Sequence, residues 1–290
     1  MLGPEPGHFF MGHSRMSTAF AVFIVKPTGY IHSQVFTETA HCVHSGLIDL
    51  GYDAILTDEH TVEDRRLIVV GPNLLPFAGI HVLPEGSILY NLEQYAHWSN
   101  PFLRDDRYVL WDFSAENSRR LGLKAKAILP VGYCSCMTHI QHAQKKDIDV
   151  LFIGSPSPRR SEILMRLQRN GIRTQECFGA YGAERDALIA RAKVQINIHY
   201  APGALMEQPR LAYLMANNCV VLSERSSFEP ENETWGAGCT LADYDDLPLT
   251  AEFLVDASST TTKDLREKAL RFMTERPIEN FLADALGKTL

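Results

Sequence analysis

The chain is short of several things at once, and each shortage excludes a class of protein. Six cysteines spread over 290 residues are too sparse for a disulfide framework, so reduced thiols in a cytoplasm are expected. No stretch approaches the roughly 20 apolar residues that a membrane-spanning helix needs. Residues 19–25 are apolar and follow Arg15, which imitates the core of a signal peptide. The Lys26-Pro27-Thr28-Gly29 segment behind them is no small-residue cleavage site, and a buried first strand accounts for them better. Basic runs are missing too: no Lys/Arg run exceeds two residues, and the formal net charge is -7. A general affinity for nucleic acid needs a concentrated basic face and is therefore excluded, whereas a local basic spot for one diphosphate is not. Low-complexity tracts and repeats at solenoid spacing are also absent. What is there, 45% hydrophobic and 22% charged residues, is the usual mix of a globular protein with core enough for one large or two ordinary α/β domains.

Residues 1–16, with their glycines and prolines and a second Met at 16, read as a disordered leader. Alternation of strands and helices begins behind them. Residues 20–25 form the first strand and the Pro27–Tyr30 segment turns the chain. A helix follows over 35–50, its Val35, Phe36, Ala40, Val43, Leu47 and Leu50 recurring at helical spacing, with Gly51 at the capping position. Further strands are expected at 53–56, 67–70, 80–83, 88–90, 108–111 and 127–129. The uninterrupted apolar run at 67–70, stopped by Gly71-Pro72, has the character of a central parallel strand. Ser114 caps a short helix that Gly122 ends. The pattern breaks at Pro130-Val131-Gly132-Tyr133 and restarts at Asp149. The division is thus a first domain over 17–132, a linker over 133–148 and a second domain over 149–290 that ends in two helices broken at Arg276-Pro277.

The second half carries the densest signal. A strand at 150–153 ends at Gly154-Ser155, and Ser157-Pro158 starts a helix whose first turn holds Arg159 and Arg160. Residues 173–178 form a strand and a helix runs through Ala187, Leu188 and Ala192. The strand at 194–198 finishes with Asn197 and His199, and a loop leads to a helix opening near Glu207, where Pro209 is tolerable only in the first turn. Asn217-Asn218 closes that helix before a strand at 219–222. Two strand–loop–helix units with polar residues at the carboxyl ends of their strands describe a ligand crevice.

A helix amino terminus offers unpaired N–H groups and partial positive charge, so Arg159 and Arg160 beside it suit a diphosphate. Glu207 is placed to accept hydrogen bonds from ribose hydroxyls, Arg210 lies one turn further, and Asn197 and His199 line the crevice from a strand end. On the first domain, Tyr30 and His32 follow the first strand. His32 has the near-neutral pKa of a base for an acceptor hydroxyl, with Glu93 and Asp112 as rival carboxylates. Asp243-Tyr244-Asp245 and Asp147-Ile148-Asp149 match a metal-holding Asp-x-Asp pattern, but neither follows the apolar strand that motif requires. Cys134, Cys136, His139 and His142 lack the usual Cys-x2-4-Cys zinc spacing, so free thiols in a linker are expected there. No metal site and no cofactor is expected.

The strings "DIDVLFIGSPSPRR", "RAKVQINIHY" and "EQPRLAYLMANNCVVLSE", in that order, resemble the carboxyl-terminal half of GT-B-fold glycosyltransferases of the group 1 kind. "ILYNLEQY", "VLWDFSAEN" and "LPVGY" are similar to stretches of the amino-terminal half and linker of bacterial and viral members. The resemblance implies an α/β protein of two Rossmann-like domains facing across a cleft, with a nucleotide-sugar donor held mainly by the second and no obligatory metal. It puts Arg159 and Arg160 where basic residues meet the diphosphate and Glu207 where a carboxylate binds ribose; Gly154 and Ser155 belong to the same donor wall. The glutamate pair usual in such enzymes is incomplete, since Asn197-Ile198-His199-Tyr200 occupies the place of the first. Retention or inversion therefore stays open, and so do a nucleotide-sugar 2-epimerase and a non-catalytic nucleotide-binding module of the same fold.

Overall fold

The computed structural model describes residues 19–95 and 100–290; the leader expected over 1–16 lies outside them. The first half builds β1 (Phe20–Ile24), α1 (Thr37–Asp49), β2 (Ala54–Thr57), β3 (Arg66–Val70), β4 (Ile88–Asn91), β5 (Val109–Asp112), α2 (Ala115–Arg120) and β6 (Ala127–Ile128). Its six strands run parallel in the order β2-β1-β3-β4-β5-β6. β1 is buried along its whole length and β3 along all but its first residue, which is why their sequences are apolar on both faces. The stretch that imitated a signal peptide is thus a buried interior strand of a sheet.

The second half builds β7 (Ile148–Ile153), α3 (Pro158–Arg169), β8 (Thr174–Cys177), α4 (Gly182–Arg191), β9 (Ala192–Asn197), α5 (Gln208–Ala216), β10 (Val220–Glu224), α6 (Glu229–Trp235), β11 (Thr240–Ala242), α7 (Leu247–Val255), α8 (Ser259–Thr274) and α9 (Ile278–Thr289). Its five parallel strands take the order β11-β10-β9-β7-β8. Both sheets therefore reverse strand order once, between β1 and β3 and between β7 and β9. In open α/β sheets the crevice at such a reversal, outside the carboxyl ends of the strands, is where ligands bind.

Local chemistry sets the helix ends. Ser157 Oγ accepts the Arg160 amide at 3.3 Å with Pro158 following it, and Ser114 Oγ accepts the Asn117 amide. Asn218 ends the α5 turn with a left-handed φ of 57°, the conformation in which Asn substitutes for Gly.

The run at 80–83 is not a strand. Val82 is exposed, and the Leu83 amide donates to Tyr108 Oη instead of to a neighbouring strand. One hydrophobic cluster runs through the first sheet, α1, α5 and α9, and a second lies between the second sheet and the outer helices α3 and α7. The last helix does not stay with the second sheet. α9 packs on α1 and β6, Trp111 Nε1 donates to Thr289 Oγ1 at 2.9 Å, and the Tyr133 amide donates to the Arg276 carbonyl while its carbonyl accepts the Ile278 amide.

The linker departs from expectation at its cysteines. An extended Cys134 followed by a 3-10 turn brings the Cα atoms of Cys134 and Cys136 to 5.4 Å, and the pair is a disulfide, not two free thiols. Cys42, Cys177, Cys219 and Cys239 are buried free thiols. His139 and His142 point elsewhere. His139 Nε2 lies 3.0 Å from Tyr213 Oη and 3.2 Å from Asp186; His142 Nε2 donates to the Asn217 carbonyl at 2.8 Å.

Candidate active site in the interdomain cleft

At the β7–β9 reversal, three second-domain elements converge. Gly154 and Ser155 leave β7, Ile198 and His199 leave β9, and α5 begins at Glu207. Arg160, on the first turn of α3, reaches between them. Its Nε donates to the Ile198 carbonyl at 2.8 Å, Nη1 to the Ser155 carbonyl at 2.9 Å and Nη2 to Glu207 Oε1 at 2.9 Å. Only 3% of the residue is exposed, and burial pulls its pKa below the usual guanidinium value, against the attraction of Glu207. Arg210 grips the other Glu207 oxygen and also donates to Asn197 Oδ1. One carboxylate thus aims two guanidiniums. Each of its oxygens still has a further lone pair for a hydroxyl.

Gly154 makes that arrangement possible. A Cβ there would stand 3.1 Å from Arg210 Nη2 and 3.5 Å from Arg160 Nη1, so both cations face a strip of bare backbone. Arg160 keeps one N–H on each terminal nitrogen, and the Nε and Nη2 hydrogens of Arg210 are uncommitted among the described residues.

The structure separates the two adjacent arginines. Arg159 turns away from the cleft, forms a bidentate pair with Glu224 at the end of β10, donates to the His199 carbonyl at 3.1 Å and lies 3.7 Å over the Tyr244 ring. Asn197 and His199 are buried beneath the site. Asn197 Nδ2 donates to Ser223 Oγ at 2.9 Å, and His199 donates its amide to Glu224 and its Nε2 to the Arg225 carbonyl. They shape the arginine floor and do not line the opening.

The opposite wall belongs to the first domain, and the two enclose a cleft of about 470 Å³, within the size range of small-molecule sites. Tyr30 and His32 come from the β1–α1 connection, and Glu93 and Gln94 from the loop after β4. His32 Nδ1 lies 2.8 Å from Tyr181 Oη, and its ring stacks on Phe178 at 4.5 Å. It is therefore held against the second domain. Glu93 Oε1 accepts the Gln94 and Tyr95 amides at 2.8 and 2.9 Å. Burial raises its pKa, those amides oppose the rise, and the charge of Glu207 across the cleft adds to it. Asp112 is placed apart from these residues: fully buried below the cleft floor, it accepts from Asn91, Asn117 and the Ser114 amide and ties β4, β5 and α2 together. Burial pushes its pKa up to about 6.

Cross-domain contacts ring the cleft. The Leu205 amide donates to Gln94 Oε1 at 2.7 Å, Arg120 donates to the Gly203 carbonyl and Ser227 Oγ, and Arg185 pairs with Glu38 at 2.7 Å. Sequence reasoning missed Phe178, Tyr181 and Glu224. The signal for Glu224 was present, since Ser223-Glu224 ends an apolar strand in polar residues as Asn197 does. Nothing marked the two rings, which follow a strand only four residues long.

Metal ligation has no assembled candidate: among the described residues no three His, Cys, Asp or Glu side chains converge as a ligand set. Of the Asp-x-Asp triplets, Asp147 pairs with Arg191, Asp149 with Arg173 and Lys193, Asp243 with Arg225 and Asp245 with Arg166. No described helix is long and apolar enough to cross a membrane.

Two Rossmann-like domains of parallel strands, apposed at their reversal points across one cleft, are the GT-B fold of glycosyltransferases. Particular structures share it over nearly the whole chain. HepE from Anabaena, solved with UDP and glucose, superposes with a TM-score of 0.59 at 11% identity over 93% of this chain and 99% of that one. AviGT4, a glycosyltransferase of avilamycin A biosynthesis, gives 0.57 at 12% over 94% and 97%. A point mutant of the T4 phage BGT, solved with UDP-glucose, gives 0.57 at 11% over 94% and 99%. No family model matches the chain. In sequence it is 47% identical over 57 residues to the uncharacterized protein L140 of Acanthamoeba polyphaga mimivirus, and 34% identical over 95 residues to protein L137 of the same virus. Those stretches cover 19% and 31% of this chain, and only 19% and 13% of the two viral proteins.

Proposed function

We propose that the protein is a cytoplasmic, metal-independent glycosyltransferase that moves a sugar from a nucleoside diphosphate to an acceptor hydroxyl. The observation that carries this reading is the pair of guanidiniums, Arg160 and Arg210, forked on Glu207 over the bare backbone of Gly154 and Ser155. The arrangement supplies fixed positive charge with uncommitted N–H donors at the place where a parallel sheet reverses. Negative charge develops on the departing diphosphate in the transition state, where preoriented donors contribute most. Two arginines in such a cradle take over the neutralising role that a divalent ion would otherwise fill. Arg159 supports the cradle from behind, through Glu224 and the His199 carbonyl. Closure of the two domains excludes water from the donor. The solved neighbours bound to UDP and UDP-glucose give the donor class its support by analogy of fold.

A thermal-shift panel of nucleoside diphosphates and their sugar conjugates, with EDTA or Mg²⁺, tests the reading. A donor present at about 100 times its Kd adds roughly 2.7 kcal/mol of stability. One conjugate is expected to raise the Tm equally in both buffers. A panel in which no nucleotide shifts the Tm would remove the donor site and the transferase with it, and a shift seen only with Mg²⁺ would remove metal independence. A conjugate that is isomerised with no acceptor present would point to an epimerase instead.

A further inference from the structure

We propose that Glu93 is the general base of the transfer and that its acceptor is an uncharged polyhydroxy compound such as a sugar, an inference that rests on the transferase reading. Among the described residues the cleft contains three carboxylates, and their engagements differ. Glu207 is committed to Arg160 and Arg210, and Glu38 to Arg185. Glu93 has no cation partner among the described residues. It stands on the first-domain wall, opposite the arginine cradle, so a sugar bound to a diphosphate there lies between the leaving group and this carboxylate.

Its geometry fits the role. Both amide bonds fall on Oε1, which fixes the side chain and leaves Oε2 for a substrate proton. His32, the other basic group on this wall, is bonded through Nδ1 to Tyr181 and stacked on Phe178, which hold its ring against the second domain. In the reaction the acceptor oxygen forms its bond to the anomeric carbon as the bond from that carbon to the phosphate oxygen breaks. The electron pair leaves with the diphosphate onto Arg160 and Arg210, and the acceptor proton passes to Glu93, which returns it to solvent after product release. Attack from the wall facing the leaving group inverts the anomeric configuration.

The acceptor class follows from what surrounds Glu93. Among the described residues no Lys or Arg lines the first-domain wall of the cleft and Arg185 is taken up by Glu38, so a phosphorylated or nucleic-acid acceptor would approach the Glu93 carboxylate with no free cation beside it. The mouth instead presents Tyr30, Phe178 and Tyr200, which are 37%, 55% and 45% exposed. Exposed rings gathered at a cleft mouth mark a binding surface, and rings beside a carboxylate offer apolar faces and a hydrogen-bond acceptor to the two kinds of surface on a sugar.

The test uses the full chain, the nucleotide sugar giving the largest thermal shift, and two acceptor sets: a panel of neutral glycosides and polyols, and duplex DNA. Water serves as the baseline acceptor in donor hydrolysis. Glu93→Gln keeps the oxygen that caps the Gln94 and Tyr95 amides, so the Tm and donor Kd stay at wild-type values, while turnover falls about 10²- to 10⁴-fold, as for loss of a general base. The acid limb of the wild-type pH–rate profile, where Glu93 takes up its proton, disappears in the variant. Glu93→Asp retains partial activity, and the product is inverted by NMR. Donor binding with an active Glu93→Gln enzyme, a product of retained configuration, preference for DNA, or a wild type that binds donor and never turns over would each overturn the inference. Failure of every nucleotide to bind is a different result and removes the transferase reading itself.

Discussion

Arg160 is both the buried keystone of its loop and half of the proposed diphosphate cradle, so its removal acts on stability and on chemistry together. Arg160→Ala leaves Glu207 short of a cation and strips the Ile198 and Ser155 carbonyls of their donor; breaking a buried pair of this kind costs about 3–5 kcal/mol. Urea melts are expected to show that loss. Gly154→Ala separates the two effects. The added methyl would stand 3.0 Å from the buried Phe152 ring and 3.1 Å from Arg210 Nη2, so donor affinity measured by calorimetry is expected to drop about tenfold or more with a smaller loss of stability than Arg160→Ala; an unchanged Kd would mean that the cations do not meet the ligand. Asp112 gives a pH signature. Its folded pKa is raised by burial from 3.8 to about 6, so between about pH 4 and 6 the folded chain holds a proton that the unfolded chain releases, and stability falls as pH rises through that window. A displacement of about two pH units corresponds to something on the order of 3 kcal/mol. The stability advantage of wild type over Asp112→Asn, from urea unfolding at pH 4.5 and 7, is expected to shrink at the higher pH. At this scale the sequence placed Arg160, Glu207, Arg210 and Glu93 at strand ends and helix starts, where they are. It could not divide Arg159 from Arg160, because adjacent residues on a first turn point about 100° apart and only Glu224, distant in sequence, decides which one leaves the cleft.

Elements were legible where apolar period and punctuation agreed. β1, β3 and β7 announced themselves as apolar runs, β9 by alternation of apolar residues with Gln195 and Asn197, and α3 by Ser157-Pro158. The run at 80–83 has strand composition without a partner strand, a property that no local window contains. The helices α6 and α7 were not foreseen. α7 exposes Leu249 and Phe253 on the side away from the sheet, which blurs its amphipathic pattern, and α6 is only seven residues long. Packing between elements was not legible either. Gly46 lies where α1 crosses α9, and a Cβ there would stand 2.7 Å from Ile278 Cγ2 and from Leu282 Cδ1. Gly46→Val is expected to destabilise the protein by about 2 kcal/mol through overpacking. Gly287→Val, in α9 with open space at its Cβ, is expected to cost less, about 1 kcal/mol or below. Equal Tm losses for the two would show that the helix crossing is loose.

At the scale of the whole molecule, the two domains share one apolar cluster and are further tied by polar contacts around the cleft. Arg185 is 8% exposed and reaches from α4 to Glu38 on α1, with Asp186 as a second partner. Glu38→Ala leaves Arg185 that second partner, so the fold is expected to persist while closure weakens by about 1 kcal/mol, or roughly fivefold in the closed population. Small-angle scattering is expected to give a larger radius of gyration for the unliganded variant, restored by saturating donor; identical radii would show that the latch does not hold the domains.

The return of α9 to the first domain has a consequence for biosynthesis. The first sheet leaves the ribosome early, yet the helix that covers α1 and receives the Trp111 hydrogen bond is synthesised after the entire second domain. The nascent first domain must wait with an apolar flank unsatisfied, so folding of the two halves cannot proceed as independent successive events. A stalled chain ending before Pro277 should bind hydrophobic-surface chaperones that release it once the final helix emerges.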